Sequence, residues 1–171
     1  KGIIASYYTS TEYLDKNIGI VLKALKDQGL EEDTLVLYLS DNGYLLNEHK
    51  RFEKHTMWQE AIQQPMIIKN GKRAGEKVDS LIEYIDVAPT ITDMLGQGIM
   101  PEAQGRSFKE VVEGKKSFHK DYAFAEYLED NLAMITTKSW KYVFTTGSRD
   151  LGISYKTGFG PAGLTHGLYD L

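Results

Sequence analysis

Thr34-Leu35-Val36-Leu37-Tyr38-Leu39-Ser40-Asp41-Asn42-Gly43 is the stretch that decides the fold class. From Thr34 to Leu39 nearly every residue is apolar or β-prone, the pattern of a strand covered on both faces. The run ends at once in two oxygen-bearing side chains and a glycine. Upstream, Leu14, Ile18, Val21, Leu22 and Leu25 recur at helical spacing. That spacing predicts a helix from about Thr9, or earlier, to Gln28, with Gly29 closing it and Glu12/Lys16 placed as an i,i+4 pair. A helix leading into a two-sided buried strand indicates an α/β layered sheet rather than a sandwich.

Downstream, Met66–Lys69 reads as a second short strand, after a polar loop from Asp41 to about Thr56 and a helical turn over Met57–Ile62 that stops before Pro65. Leu81–Ile85 is expected to be a short strand, and Val87–Leu95 a helix with Pro89 in its first turn, where a missing N–H costs little. Gly96-Gln97-Gly98 and Pro101 break the chain. Ser107–Glu113 is expected to be a short helix, with Ser107 and Glu110 at capping-box spacing. Beyond residue 117 the pattern changes. Tyr122–Leu128, Leu132–Thr137, Lys141–Thr146 and Gly167–Leu171 are short β-prone runs, and Gly147–His166 is rich in Gly and Ser and reads as a long loop. The expected division is therefore an α/β unit over 1–117 and a small antiparallel β subdomain over 118–171.

Composition narrows the function classes. The 171 residues are 42 % hydrophobic and 26 % charged, as in an ordinary soluble globular protein. A net charge of −4 argues against a nucleic-acid face, which needs a basic patch. The longest apolar runs are far too short to span a bilayer. The chain contains no cysteine, which excludes disulfides, thiolate metal sites and a Cys nucleophile within these residues. It begins Lys-Gly-Ile-Ile and ends Leu-Tyr-Asp-Leu, and both ends are expected to be cuts through a longer protein.

Asp41 and Asn42 both offer oxygen, which suits Ca²⁺ or Mg²⁺ far better than Zn²⁺. They follow a strand at its carboxyl end, where ligands of α/β sheets gather. Neighbouring strand residues point to opposite faces, so both reach one ion only if the backbone turns, and Gly43 is expected to allow that turn. An ordinary Asp-Asn-Gly turn with no ligand is the alternative. Two oxygens also fall short of the six to eight that Ca²⁺ takes, so others must come from elsewhere. Lys54 is either a solvated loop lysine or an ammonium for a sulfate or phosphate oxygen. His55 is either structural or an anion contact. His49 is a weaker candidate. Glu60, Tyr7 and Tyr8 are expected to serve packing, and Trp58 and Trp140 to anchor the core or a hinge.

In this order the pieces resemble the sulfatases of the alkaline-phosphatase-like superfamily. Tyr7–Asp15 looks like the family's helix ahead of the metal strand, and Thr34–Gly43 is similar to the strand ending in two metal ligands. Lys54-His55-Thr56-Met57 with Pro65-Met66-Ile67-Ile68 looks like the sulfate-contacting lysine and the strand after it. Ile85-Asp86-Val87-Ala88-Pro89-Thr90 and Gln104-Gly105-Arg106-Ser107 match the late helix and linker. Trp140-Lys141-Tyr142 and Leu168-Tyr169-Asp170-Leu171 are like the C-terminal sheet. The resemblance implies that 1–117 is the second half of an alkaline-phosphatase-like mixed sheet with flanking helices, and 118–171 its truncated C-terminal subdomain. It also implies a Ca²⁺ (or Mg²⁺) site with Asp41 and Asn42 as metal ligands, and substrate contacts from Lys54 and His55.

The family's nucleophile is a formylglycine made from the Cys or Ser of a Cys/Ser-x-Pro-x-Arg motif, and no such motif occurs here. Gln63-Gln64-Pro65 stands where Arg-Val-Pro is more usual, which puts local substrate contacts in doubt. The nucleophile is therefore expected in a missing N-terminal half, and the fragment alone is expected to be inactive. The expected substrate is a sulfated small molecule or glycan, with a sulfated sugar such as N-acetylglucosamine 6-sulfate the finer expectation. The alternatives are a phosphonate or phosphate monoester hydrolase of the same superfamily, or a non-catalytic α/β interaction module. The expected partners are the N-terminal half or a second copy, with no nucleic acid and no membrane. The expected location is periplasmic, extracellular or lysosomal.

Overall fold

The computed structural model describes residues 2–52, 54–71, 75–98, 100–127, 132–145 and 165–171. Helix α1 (Gly2–Asp27) starts earlier than Thr9. The hydroxyls of Thr9, Ser10 and Thr11 donate to the carbonyls of Ala5, Ser6 and Tyr7, so three polar residues are absorbed into the helix rather than starting it. The helix closes as its sequence predicts. Gly29 adopts φ 69°, its N–H reaches the Lys26 carbonyl at 3.0 Å, and Leu30 N–H reaches Leu25 at 3.1 Å, the paired bonds of a Schellman end. No residue of α1 is buried, and Leu14 and Val21 are 45 % and 67 % exposed on the face that the spacing marks as apolar.

Strand β1 (Val36–Leu39) pairs antiparallel with β2 (Met66–Lys69), Val36 opposite Lys69 and Leu39 opposite Met66. A strand covered on both faces is expected from its sequence; instead all four residues of β1 are half-buried, and β2 is its one partner strand among the described residues. Between them runs the loop, then helix α2 (Gln59–Ile62). Leu45, Met57 and Ala61 are buried there and anchor the loop to the layer.

Leu81–Ile85 does not form the expected strand. Leu81 makes a single bridge to Lys120, and Tyr84–Asp86 is one turn of 3₁₀ helix. The Asp86 carboxylate accepts from Glu83 N–H at 2.9 Å in a reciprocal capping box, and such a side-chain bond favours a turn over a ladder. Helix α3 (Val87–Met94) follows, then α4 (Lys109–Val112). The expected Ser107/Glu110 box is absent: Ser107 Oγ donates to Asp93 Oδ2 at 2.6 Å, and Glu110 pairs with Lys116. While donating there, the Ser107 hydroxyl oxygen accepts the Lys109 N–H at 3.2 Å, one residue short of the Glu110 N–H that the box requires.

The C-terminal sheet has the order β3 (Ala123–Tyr127), β4 (Leu132–Thr136), β5 (Trp140–Thr145), β6 (Thr165–Asp170), every pair antiparallel. Leu128, Thr146 and the body of the expected 147–166 loop lie outside the described residues. Phe108 and Val111 at α4 and Ala123 and Met134 on one face of this sheet are buried, as is Ala133 on the opposite face. Trp140 is 50 % exposed and anchors no core, because its β5 neighbour Lys141 takes the inward position.

Candidate functional site

β1 delivers Ser40 to Gly43 at its carboxyl end. Ser40 Oγ donates to the Asn42 carbonyl at 2.8 Å, and Asp41 Oδ1 accepts the Asn42 N–H at 2.9 Å, so the chain folds back on itself within three residues. Asn42 Nδ2 donates to the Gly43 carbonyl at 2.8 Å, which turns Oδ1 outward. There it accepts from Lys54 Nζ at 3.0 Å. Asp41 is exposed and Asn42 half-buried.

Gly43 is needed for a different reason from the one its sequence suggests. It is not among the positive-φ glycines; its N–H donates to Ala61 at 2.8 Å, and a Cβ there would sit 1.9 Å from the Glu60 carbonyl. Close approach of β1's end to α2, rather than a left-handed turn, excludes a side chain.

Around this point the loop is held tightly. Asn47, His49 and Lys50 all take positive φ (94°, 52° and 59°), a left-handed cluster that costs of order 1–3 kcal/mol per non-glycine residue. His49 stacks on Trp58 with centroids 3.8 Å apart, and its Nε2 lies 3.6 Å from Glu60 Oε2. His55 is half-buried, its Nδ1 2.9 Å from the Tyr127 hydroxyl, so it ties the loop to β3. The loop cation and the Asp41-Asn42 pair thus meet, while His55 turns toward the C-terminal sheet.

Three further groups carry no local sequence signal. Tyr84 sits where burial first, and then the Asp41 carboxylate, raise its phenol above the usual range. Lys141 is 3 % exposed on β5. Asp86 is fully buried and accepts from Arg106 N–H at 2.9 Å and Lys120 Nζ at 2.8 Å, joining the α/β unit to residues that precede β3. Each is defined by partners distant in sequence.

The donors at the strand end are all oxygens with no thiolate or imidazole, which suits a hard divalent cation. They fit as part of a ligand set only. Among the described residues no group of three acidic or imidazole side chains converges on one point. The Asn42 Oδ1 that a cation would need is held by an ammonium.

A helix, a short strand ending in paired oxygen donors, and antiparallel sheets define a mixed α/β fold. The family model described as Sulfatase matches residues 2–97, and the chain belongs to that family. Arylsulfatase K of Bos taurus is 30 % identical over 155 residues, covering 84 % of this chain and 29 % of that protein. An N-acetylglucosamine-6-O-sulfatase of Bacteroides thetaiotaomicron is 33 % identical over 123 residues, covering 71 % and 22 %. The solved complex of a protein with its substrate D-glucosamine-2-N,6-O-disulfate superposes with TM-score 0.76 at 27 % identity, covering 91 % of this chain and 31 % of the other. A phosphonate monoester hydrolase from Silicibacter pomeroyi gives 0.72 at 26 %, covering 91 % and 32 %. The chain therefore spans less than a third of the length of these relatives.

Proposed function

We propose that this chain is the second half of a sulfatase that hydrolyses sulfate esters of sugars, with its nucleophile supplied from outside these residues. The observation that carries the reading is the Lys54 ammonium 3.0 Å from Asn42 Oδ1 at the end of β1. A sulfate monoester carries negative charge that redistributes as the S–O bond breaks, so ammonium and metal charges at fixed positions stabilise the transition state. In this reading Lys54 holds a sulfate oxygen and His55 lies beside it. The Asp41 carboxylate and Asn42 carbonyl contribute two oxygens to a Ca²⁺, or Mg²⁺, that would neutralise part of the ester's charge. A formylglycine hydrate would supply the attacking oxygen. The sugar class is supported by the relative named for N-acetylglucosamine 6-O-sulfate and by the neighbour solved with a disulfated glucosamine. A phosphonate monoester hydrolase remains the second reading, supported by the Silicibacter neighbour.

The open apolar face of α1 and the half-buried β1 support a missing N-terminal half as partner, with self-association when it is absent. We place the protein outside the cytoplasm by its kinship; no described helix is long and apolar enough to cross a membrane. The test is turnover of N-acetylglucosamine 6-sulfate and of a phenylphosphonate monoester by the full-length protein carrying this chain. Sulfate-ester turnover is expected to dominate, and Lys54→Ala to reduce it about 100-fold or more, the usual effect of removing one transition-state donor. Faster phosphonate cleavage transfers the assignment to the second reading, and full activity in Lys54→Ala ends both.

A further inference from the structure

The sequence holds two Asn-Gly pairs, Asn42-Gly43 and Asn70-Gly71, and the fold treats them in opposite ways. An asparagine before glycine is chemically labile, because no side chain on the glycine keeps its backbone nitrogen away from the asparagine's amide carbon. The reaction needs a mobile asparagine amide, an uncommitted glycine N–H and room for the backbone to rotate.

Asn42-Gly43 has none of these. Asn42 Oδ1 accepts from Lys54 Nζ at 3.0 Å, and its Nδ2 donates to the Gly43 carbonyl at 2.8 Å. Gly43 N–H donates to the Ala61 carbonyl at 2.8 Å, and the Glu60 carbonyl crowds the Gly43 α-carbon. Asn70-Gly71, just past the end of β2, has all three. Asn70 is exposed, and no hydrogen bond among the described residues holds its side-chain amide or the Gly71 N–H. Gly71 adopts φ 58°, and a Cβ there would meet no atom within 4 Å among the described residues.

We propose that Asn70 is a site of spontaneous covalent modification, where the chain deamidates to aspartate and isoaspartate while Asn42 is shielded from the same reaction. The Gly71 nitrogen bonds to Asn70 Cγ, the Cγ–Nδ2 bond breaks, and ammonia leaves with the proton from that nitrogen. Water then opens the five-membered succinimide at either carbonyl, giving aspartate at one and isoaspartate at the other. Each event places a carboxylate next in the chain to Lys69, whose Nζ lies 3.6 Å from Glu31 Oε1. Isoaspartate also lengthens the backbone by a single carbon where β2 ends. At the end of β1, by contrast, Asn42 keeps the neutral amide that meets Lys54. This chemistry does not depend on the sulfatase reading.

The test holds the full-length protein carrying this chain in mildly alkaline buffer and follows both asparagines by peptide mapping with mass spectrometry. In the folded protein Asn70 is expected to convert about 30-fold faster than Asn42, the factor for releasing two ordinary hydrogen bonds at Asn42-Gly43. The product at Asn70 should include isoaspartate, which direct hydrolysis of the side-chain amide does not form. In urea, where neither pair keeps its native partners, the two rates are expected to agree within about 3-fold. Equal rates in the folded protein, or aspartate without isoaspartate at Asn70, overturns the assignment. A ratio as large in urea as in the folded protein also overturns it, by tracing the difference to neighbouring residues and not to the fold.

Discussion

Lys54 Nζ donates to Asn42 Oδ1 at 3.0 Å across twelve residues of chain, so the loop's cation occupies the side-chain oxygen that a divalent ion at Asp41-Asn42 would use. The two cations compete for one electrostatic position. Lys54→Ala should therefore tighten Ca²⁺ binding by several-fold even as it lowers sulfate-ester turnover about 100-fold or more. Lys54 is exposed, and with bulk-water screening a unit charge about 4 Å away is worth about 1 kcal/mol per unit of the ion's charge. Calorimetric Ca²⁺ titration of the wild-type and variant proteins checks the sign; weaker binding in the variant would mean that Lys54 organises the ligands instead of competing for them.

Tyr84 reports on the same place. Burial, and after it the Asp41 carboxylate, raise its phenol above the usual value. Asp41→Asn should lower its titration midpoint partway, leaving the larger burial effect. Saturating Ca²⁺ should do the same in the wild type, by neutralising that carboxylate. Ultraviolet titration, with Tyr84→Phe subtracted to isolate one of the 11 tyrosines, gives the readout. A Ca²⁺-insensitive midpoint would place the ion away from Asp41.

Gly43 tolerates no side chain. A Cβ 1.9 Å from the Glu60 carbonyl meets backbone, not a flexible tip. Gly43→Ala should cost about 2 kcal/mol or more through displacement of α2 or the strand end. It should also break the Gly43–Ala61 hydrogen bond, and thermal melts with amide exchange at Gly43 would detect both effects.

The Asp86 cluster predicts acid sensitivity. Burial pushes the Asp86 carboxyl up, but Lys120 and the Arg106 and Glu83 N–H groups outweigh it and hold the pKa below the ordinary value. Its stabilisation is complete above the unfolded pKa near 4 and is lost as pH falls through the lower folded value. His119, 3.4 Å from Asp86 Oδ2 and lacking a hydrogen-bond partner at Nε2 among the described residues, is pushed down mainly by burial and stays neutral at pH 7. Stability it confers is present above the unfolded value near 6.5 and also falls with acid. Asp86→Asn should cost about 3 kcal/mol at pH 7, since it leaves part of the Lys120 charge uncompensated, and less near pH 3. Urea melts at both pH values test this, and an equal loss at both would count against the charge argument.

Local chemistry made much of the architecture legible. The end of α1 at Gly29, both short strands and the four C-terminal strands follow from helical spacing, β-rich runs and turn residues, and boundaries differ by a residue or two where the strands are described. The misses share one cause. Leu81–Ile85 looks like a strand until Asp86 bonds back to Glu83 and forward to Arg106 and Lys120. The Ser107–Glu110 box fails because Ser107 Oγ, oriented by its bond to Asp93 on another helix, accepts from Lys109 N–H and Glu110 pairs with Lys116. Trp140 looks like an anchor until strand register turns Lys141 inward.

By itself the sequence determined which segments are helix and strand, and that two oxygen donors stand at one strand's end with a cation later in the loop, because these depend on residues within a few positions of each other. Only the tertiary structure decided that Lys54 reaches Asn42, that Gly43 is required by α2's backbone, and that Asp86 and Lys141 are buried charges. Those outcomes turn on distances and desolvation between groups up to 82 residues apart, as between Gln59 and Lys141, which no local pattern encodes.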